Sequence, residues 1–348
     1  MKRTTRRILM VVLALVFVGS LGMLAYRTME YKEGEEIYAE AETLVDLPDL
    51  SDLPVPVVER AAEEVPQETS TEVKTVYVDP YADALRNMDF SALREVNSDV
   101  LGWIMIPGTV ISYPLLQGTD NQYYLKHTWK KWTSAVGAIF LECKNSRDLS
   151  DFNTVIYGHR MNNGSMFASL KNYKKQSYWA AHPCVYITDD SGSHKYEIFA
   201  AYEVSTAGTT YQIGFSGDQS KQAFIDYCLE QSVIDTGIVP TVYDRILTLS
   251  TCTGNGHATR WVVQAVLKGV APSDSAQEAQ PETIPEQAAE PADVPEQPQE
   301  DQTANGEEPL PEEQPTDAPE QEPAPAPEEP TPDSAPPEED GEAEQPAA

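Results

Sequence analysis

An apolar run, Ile246-Leu247-Thr248-Leu249-Ser250-Thr251, delivers a cysteine, Cys252, to its end. A polar stretch with two glycines, Thr253 to Thr259, follows, and Arg260 opens a second run, Arg260-Trp261-Val262-Val263. This reads as strand, loop and strand, with a thiol at one mouth and a guanidinium at the other. A third apolar run, Thr154-Val155-Ile156, leads into Tyr157-Gly158-His159 and places a histidine at another strand end, with Gly158 read as a tight turn. A thiol attacks a carbonyl only as a thiolate or beside a base. Histidine changes charge near neutral pH, so it can pair with the thiol and later protonate a leaving amine. Arginine stays charged and offers several donors to a developing oxyanion. Cys252, His159 and Arg260 together are a complete set for acyl transfer through a thiol.

Other residues compete for these roles. His257 is close to Cys252 in sequence and is the rival base, but a Gly-rich loop orients a base poorly. His127, His182 and His194 have no partners in sequence and read as solvated or structural. Asp99, Asp120 and Glu142 lack the spacing of a calcium loop, so no metal and no cofactor is expected. The other cysteines, Cys143, Cys184 and Cys228, form no C-x-x-C pair. They are either buried free thiols or, outside the cytoplasm, partners in a disulfide.

The elements that hold these residues lie in one part of the chain. The net charge of -32 is unevenly placed. Residues 271–348 hold 24 Asp and Glu and neither Lys nor Arg, whereas residues 80–270 are nearly neutral. No basic footprint for nucleic acid exists. Residues 1–7 are basic, and residues 8–26 run without a charge for about the length that crosses a bilayer core. Basic residues before this run and acidic ones after it place the N-terminus inside and the remainder outside. Val18-Gly19-Ser20 resembles a signal-peptide cleavage site, but the apolar run continues past it, which favours a retained single-pass anchor. Residues 27–79 are acidic with several prolines and read as a stalk, helical at its start. Residues 80–270 carry helical spacing from Tyr81 to Val96, then many short apolar runs, which favours a barrel or sandwich. Ser220 to Gln231 has one apolar face and reads as a helix between two strands. Residues 271–348, rich in Pro and Glu, are expected to be disordered and extended.

The motifs carry a resemblance. Thr248-Leu249-Ser250-Thr251-Cys252 with Arg260 is similar to the T-L-x-T-C…R signature of the sortases. Tyr157-Gly158-His159 with Asn163-Gly164-Ser165-Met166-Phe167 resembles the histidine segment of class B sortases. Gly102-Trp103-Ile104, Pro107-Gly108-Thr109, Tyr113-Pro114, Gln117, Asp120-Asn121 and Tyr124-Leu125 resemble the early part of that class. The stretch Thr253 to Thr259 departs from it, lacking the expected aromatic and acidic residues.

The resemblance implies a mainly-β fold: a closed barrel of about eight strands with N-terminal helices and a helix inserted between late strands. It implies a membrane-anchored cysteine transpeptidase with its catalytic domain outside the cell. Such an enzyme cleaves a C-terminal sorting motif, N-P-x-T-x or an L-P-x-T-G relative, on a secreted protein. It then transfers that protein to an amine of a cell-wall precursor or a pilin. By the same carry-over Cys252 is the nucleophile, His159 the general acid and base, and Arg260 the clamp on substrate and oxyanion. Thr251, Asn121 and Ser165 are candidate substrate contacts. Two alternatives stand beside this reading: a thiol hydrolase using the same Cys-His pair, and a non-catalytic wall scaffold.

Overall fold

The computed structural model describes residues 3–56, 58, 79–254 and 256–278; the side chains of residues 252–257 lie outside the described part. The acidic tail beyond residue 278 and most of the segment between residues 57 and 78 also lie outside it.

The chain opens with helix α1 (Arg3–Leu44). Its first half exposes apolar side chains such as Leu15 and Phe17, which have no protein to cover them. It is the one described helix long and apolar enough to cross a membrane. The second half behaves differently. Ile37, Tyr38, Ala41 and Val45 are buried in the same core as the barrel. The segment expected to be a stalk from residue 27 is thus helical to Leu44, and its last turns are docked. The reason lies in spacing: these apolar positions recur at helical intervals under an acidic outer face.

The helical spacing over residues 81–96 resolves into two short helices, α2 (Pro80–Leu85) and α3 (Ser91–Val96), the second opening at Ser91. Asp79 caps α2 by accepting from the backbone of Tyr81 and Ala82, with Pro80 at the first helical position. Asp89 accepts from the backbone of Ser91 at 2.8 Å and starts α3 afresh.

The barrel comprises β1 (Val100–Met105), β2 (Ser112–Leu116), β3 (Ile139–Leu141), β4 (Asn153–Tyr157), then helix α4 (Gln176–Ala181), β5 (Cys184–Asp189), β6 (Gly192–Ser205), helix α5 (Asp218–Gln231), β7 (Ile246–Gly254) and β8 (Gly256–Pro272). The order around the closed sheet is β1-β2-β3-β4-β7-β8-β6-β5, with β5 returning to β1. Eight strands leave an interior just wide enough for side chains to fill. Trp103, Phe140, Tyr186, Tyr196 and Phe199 are among those buried there or beneath the flanking helices. Helix α5 lies between β6 and β7 in sequence and packs Phe224, Ile225 and Cys228 on the outside of the sheet with Phe199, Tyr202 and Val262. A short helix, α6 (Asp274–Glu278), follows β8, and Asp274 pairs with Arg86 at 3.2 Å. The described fold therefore continues a few residues past residue 270.

Two details differ from expectation. The apolar run 135–142 reads as one strand, but β3 takes only three of its residues, because Ser134 to Gly137 turns to meet α1. The stretch from Thr253 to Thr259 reads as a loop, but β7 and β8 stay paired as far as Gly254 and Gly256.

Candidate active site

The site is assembled by one parallel pairing. Strand β4 runs beside β7 with Asn153 opposite Ile246 and Tyr157 opposite Ser250. The backbone N–H of Gly158 donates to the Ser250 carbonyl at 3.1 Å and carries the pairing one step further. His159 and Cys252 each stand two residues beyond the Tyr157–Ser250 pair, His159 just past the end of β4 and Cys252 on β7. Strand β8 then brings Arg260 directly opposite Cys252. Residues 93 positions apart in sequence thus meet at one barrel rim, with the arginine on the far side of the cysteine from the histidine.

Buried polar bonds fix this register. Asn153 donates from its amide to the carbonyls of Thr210 and Gln212 and accepts from the Thr248 hydroxyl at 2.7 Å. The Gln264 amide donates to Thr248 Oγ1 at 3.0 Å, and the Tyr202 hydroxyl donates to Gln264 Oε1 at 3.0 Å. Strands β4, β6, β7 and β8 are tied together just below the cysteine. A satisfied buried network of this kind specifies one pairing, since any slip leaves polar atoms unmatched. Nearer the rim, the hydroxyls of Tyr211 and Ser250 share a hydrogen bond of 2.8 Å.

The histidine is oriented by backbone. His159 Nε2 lies 2.7 Å from the Leu125 carbonyl oxygen. A carbonyl only accepts, so Nε2 carries the hydrogen, and in the neutral ring the lone pair falls on Nδ1. A partner of this kind holds the tautomer and ring direction a general base requires. Gly158 is needed for a reason other than the tight turn expected from sequence. A Cβ there would fall 2.4 Å from Ile139 Cδ1 and 2.7 Å from the Phe167 ring. The bare glycine lets the strand approach its neighbours closely.

The other three thiols are all held above the ordinary thiol range. Burial pushes the Cys184 thiol up to about 12 and the Cys228 thiol up to about 11. Burial and then the Glu142 carboxylate raise Cys143 as well. None of these three is an activated nucleophile, and all three are free rather than bridged. Arg260 is half-buried and donates from Nη1 to the Thr259 carbonyl at 3.0 Å.

The remaining candidates fall into place. Thr251 is buried at the same strand end, and its hydroxyl oxygen has no hydrogen-bond partner among the described residues. Asn121 bridges inward: its amide donates to Glu142, and its oxygen accepts from the Cys143 backbone at 2.8 Å. Ser165 donates to Asn163 at 2.8 Å and lines a cleft of about 180 Å³ beneath α1. His127 stacks on Tyr123 with ring centroids 4.0 Å apart, His182 bonds the Pro107 carbonyl, and His194 lies 3.2 Å from Asp189. The side chain of His257 lies outside the described part. Asp99 accepts from Tyr124 and pairs with Lys131, while Asp120 caps the backbone of Gln122 and Tyr123. Gly137, which lies against the histidine, was not singled out from sequence, and Leu125 entered only as part of a motif, not as the histidine's partner. The available signal was a glycine inside an apolar run, Ala135-Val136-Gly137-Ala138, which marks close approach.

Known proteins share this architecture. Residues 104–268 match the Sortase domain family. Sortase B of Staphylococcus aureus (strain NCTC 8325 / PS 47) is 36% identical over 163 residues, which is 47% of this chain and 67% of that protein. The solved Staphylococcus aureus sortase B–substrate complex is 34% identical with a TM-score of 0.50, covering 52% of this chain and 85% of that one. Sortase B from B. anthracis, solved in complex with AAEK1, is 29% identical with a TM-score of 0.54, covering 69% of this chain and 98% of that one. With the eight-strand barrel and a cysteine, histidine and arginine gathered at one rim, the chain belongs to the sortase family and is a cysteine transpeptidase of class B.

Proposed function

We propose that this chain cleaves a C-terminal sorting motif, N-P-x-T-x or an L-P-x-T-G relative, after its threonine, and joins the released protein to an amine of a cell-wall precursor or a pilin. The observation that carries the residue roles is the strand register, which sets His159 and Arg260 on either side of Cys252. In the first half-reaction the Cys252 thiolate attacks the threonine carbonyl and Arg260 donates to the oxyanion. The carbon–nitrogen bond breaks as His159 passes a proton to the leaving amine, and a thioester remains. In the second, an acceptor amine attacks the thioester, His159 takes the amine proton, and the thiolate departs. Transfer rather than hydrolysis follows if the acceptor outcompetes water at the thioester.

The apolar half of α1 supports a single-pass anchor with the barrel outside the cell, as the charge asymmetry around it indicates. A peptide bearing either motif, incubated with the full chain, should give an amine-linked product when an amine is added. Hydrolysis alone under both conditions would point to a thiol hydrolase instead.

Thr251 is the strongest of the three substrate-contact positions, because Asn121 and Ser165 engage their polar atoms within the fold. Its unpaired buried hydroxyl has a partner to gain when a peptide binds. Thr251→Val should leave thermal stability unchanged or slightly raised, and should raise KM for the motif peptide about fivefold, matching the loss of one neutral hydrogen bond of about 1 kcal/mol. Unchanged KM would remove Thr251 from the peptide site.

A further inference from the structure

We propose that Tyr38, on the helix that carries the apolar N-terminal stretch, is a positioning residue for His159 and makes the docked end of α1 part of the catalytic apparatus. This rests on the reading of His159 as the general base.

The histidine sits between two backbone segments. On one side is the loop of residues 125–137, which supplies the Leu125 carbonyl to Nε2. The same loop supplies Gly137, whose bare backbone faces the ring. A Cβ on Gly137 would lie 2.9 Å from His159 Cδ2 and 2.7 Å from the Tyr124 carbonyl oxygen. Its φ of +64° is a left-handed conformation that side chains disfavour. On the other side is the segment 160–167, where the Phe167 backbone donates to the His159 carbonyl at 2.9 Å.

Helix α1 grips both segments. The Tyr38 hydroxyl donates to the Gly137 carbonyl, at the residue that touches the ring. The Tyr38 ring meets Tyr113 edge-on with centroids 5.2 Å apart, and the Tyr113 hydroxyl accepts from the Met166 backbone at 2.9 Å. Tyr38 thus stands between the two flanks of the histidine, touching one directly at Gly137 and the other through Tyr113. Burial raises the Tyr38 phenol far above its ordinary value, so it stays a proton donor.

The grip is reinforced around it. The Ala135 backbone donates to Glu30 at 3.1 Å, the Trp129 indole donates to the Ile37 carbonyl at 2.9 Å, and Lys130 pairs with Glu40. The Asn163 amide donates to Glu35 at 3.2 Å. A Cβ on Gly34 would fall 2.8 Å from Val136 Cγ2, so the helix sits directly on the loop beside Gly137. The bland account is that Tyr38 only fills core volume. That account does not require its hydroxyl to be bonded to the residue against the imidazole.

The test is Tyr38→Phe in the full chain, held in detergent micelles, because this change keeps the ring and deletes one hydroxyl. Two readouts are taken: steady-state kinetics on a motif peptide with an amine, and the ¹⁵N signals of the His159 ring. We expect kcat to fall about tenfold with KM within twofold, since a small misplacement of a base is costly. We also expect the His159 ring to move away from a pure Nε2–H tautomer. Gly137→Ala, which presses a methyl toward the ring, should shift the same signal further. Unchanged kcat and ring signal in Tyr38→Phe would overturn the proposal. So would a lower melting temperature with the ring signal unmoved, which marks a structural role. His159→Gln is assayed in parallel. If it kept full activity, the reading of His159 as base would fall, while the ring signal in Tyr38→Phe would still decide whether Tyr38 positions it.

Discussion

Cys252→Ala is expected to lower transpeptidation of a motif peptide by about 10⁴-fold or more, the scale seen when a covalent nucleophile is removed. Intact-mass measurement sharpens the result. The parent chain, trapped in acid during turnover without acceptor, should gain the mass of the acyl fragment, and the alanine variant should not. The three other thiols are held above the ordinary thiol range, so none should substitute for it. Stability should scarcely change, because position 252 lies at the rim of β7 and outside the polar network beneath it. An acylated alanine variant would assign the nucleophile to another residue.

Arg260→Ala is expected to cost about 10² to 10³ in kcat/KM, the magnitude associated with losing one donor to an oxyanion. Arg260→Lys is the more informative change. Lysine keeps the charge but lacks the planar fork of donors. If the residue acts mainly by favouring thiolate at Cys252, lysine should restore most of the rate. If it acts by directed donation to the carbonyl oxygen, lysine should remain within a few-fold of alanine. The proposed mechanism, in which Arg260 donates to the oxyanion, predicts the second outcome. Full activity in Arg260→Ala would remove it from the chemistry altogether.

The parts of this design that sequence displays are those written as local pattern. A thiol at the end of an apolar run, an arginine opening the next and a histidine after a third run are all adjacent to their own strands. The inserted helix shows in its apolar face. What joins them does not show. The parallel pairing of β4 with β7 spans β5, β6 and α5, and no local periodicity encodes it. The histidine's orientation depends on a main-chain carbonyl at Leu125, a group every residue possesses. The docking of α1 was hidden by composition. Gly34, Ile37, Tyr38, Ala41 and Val45 form one helical stripe, but the acidic residues between them give the segment the look of a solvated stalk. The pairing of β7 with β8 as far as Gly254 and Gly256 was concealed the same way, since Gly-Asn-Gly reads equally as open loop and as tight turn.

Helix α1 runs unbroken from Arg3 to Leu44, and this has a consequence of scale. With residues 8–26 in a bilayer, the twelve residues from Tyr26 to Tyr38 rise about 18 Å along the axis, and no described break interrupts them. The helix is then a ruler, and the histidine beside it works at a height fixed above the hydrocarbon edge. A substrate still held in the same membrane must present its scissile bond at that height. An extended chain covers 18 Å in about five or six residues. On the proposed anchoring and cleavage, the spacer between the cleaved threonine bond and a substrate's own membrane segment would be set by the enzyme's helix, as a length rather than a sequence.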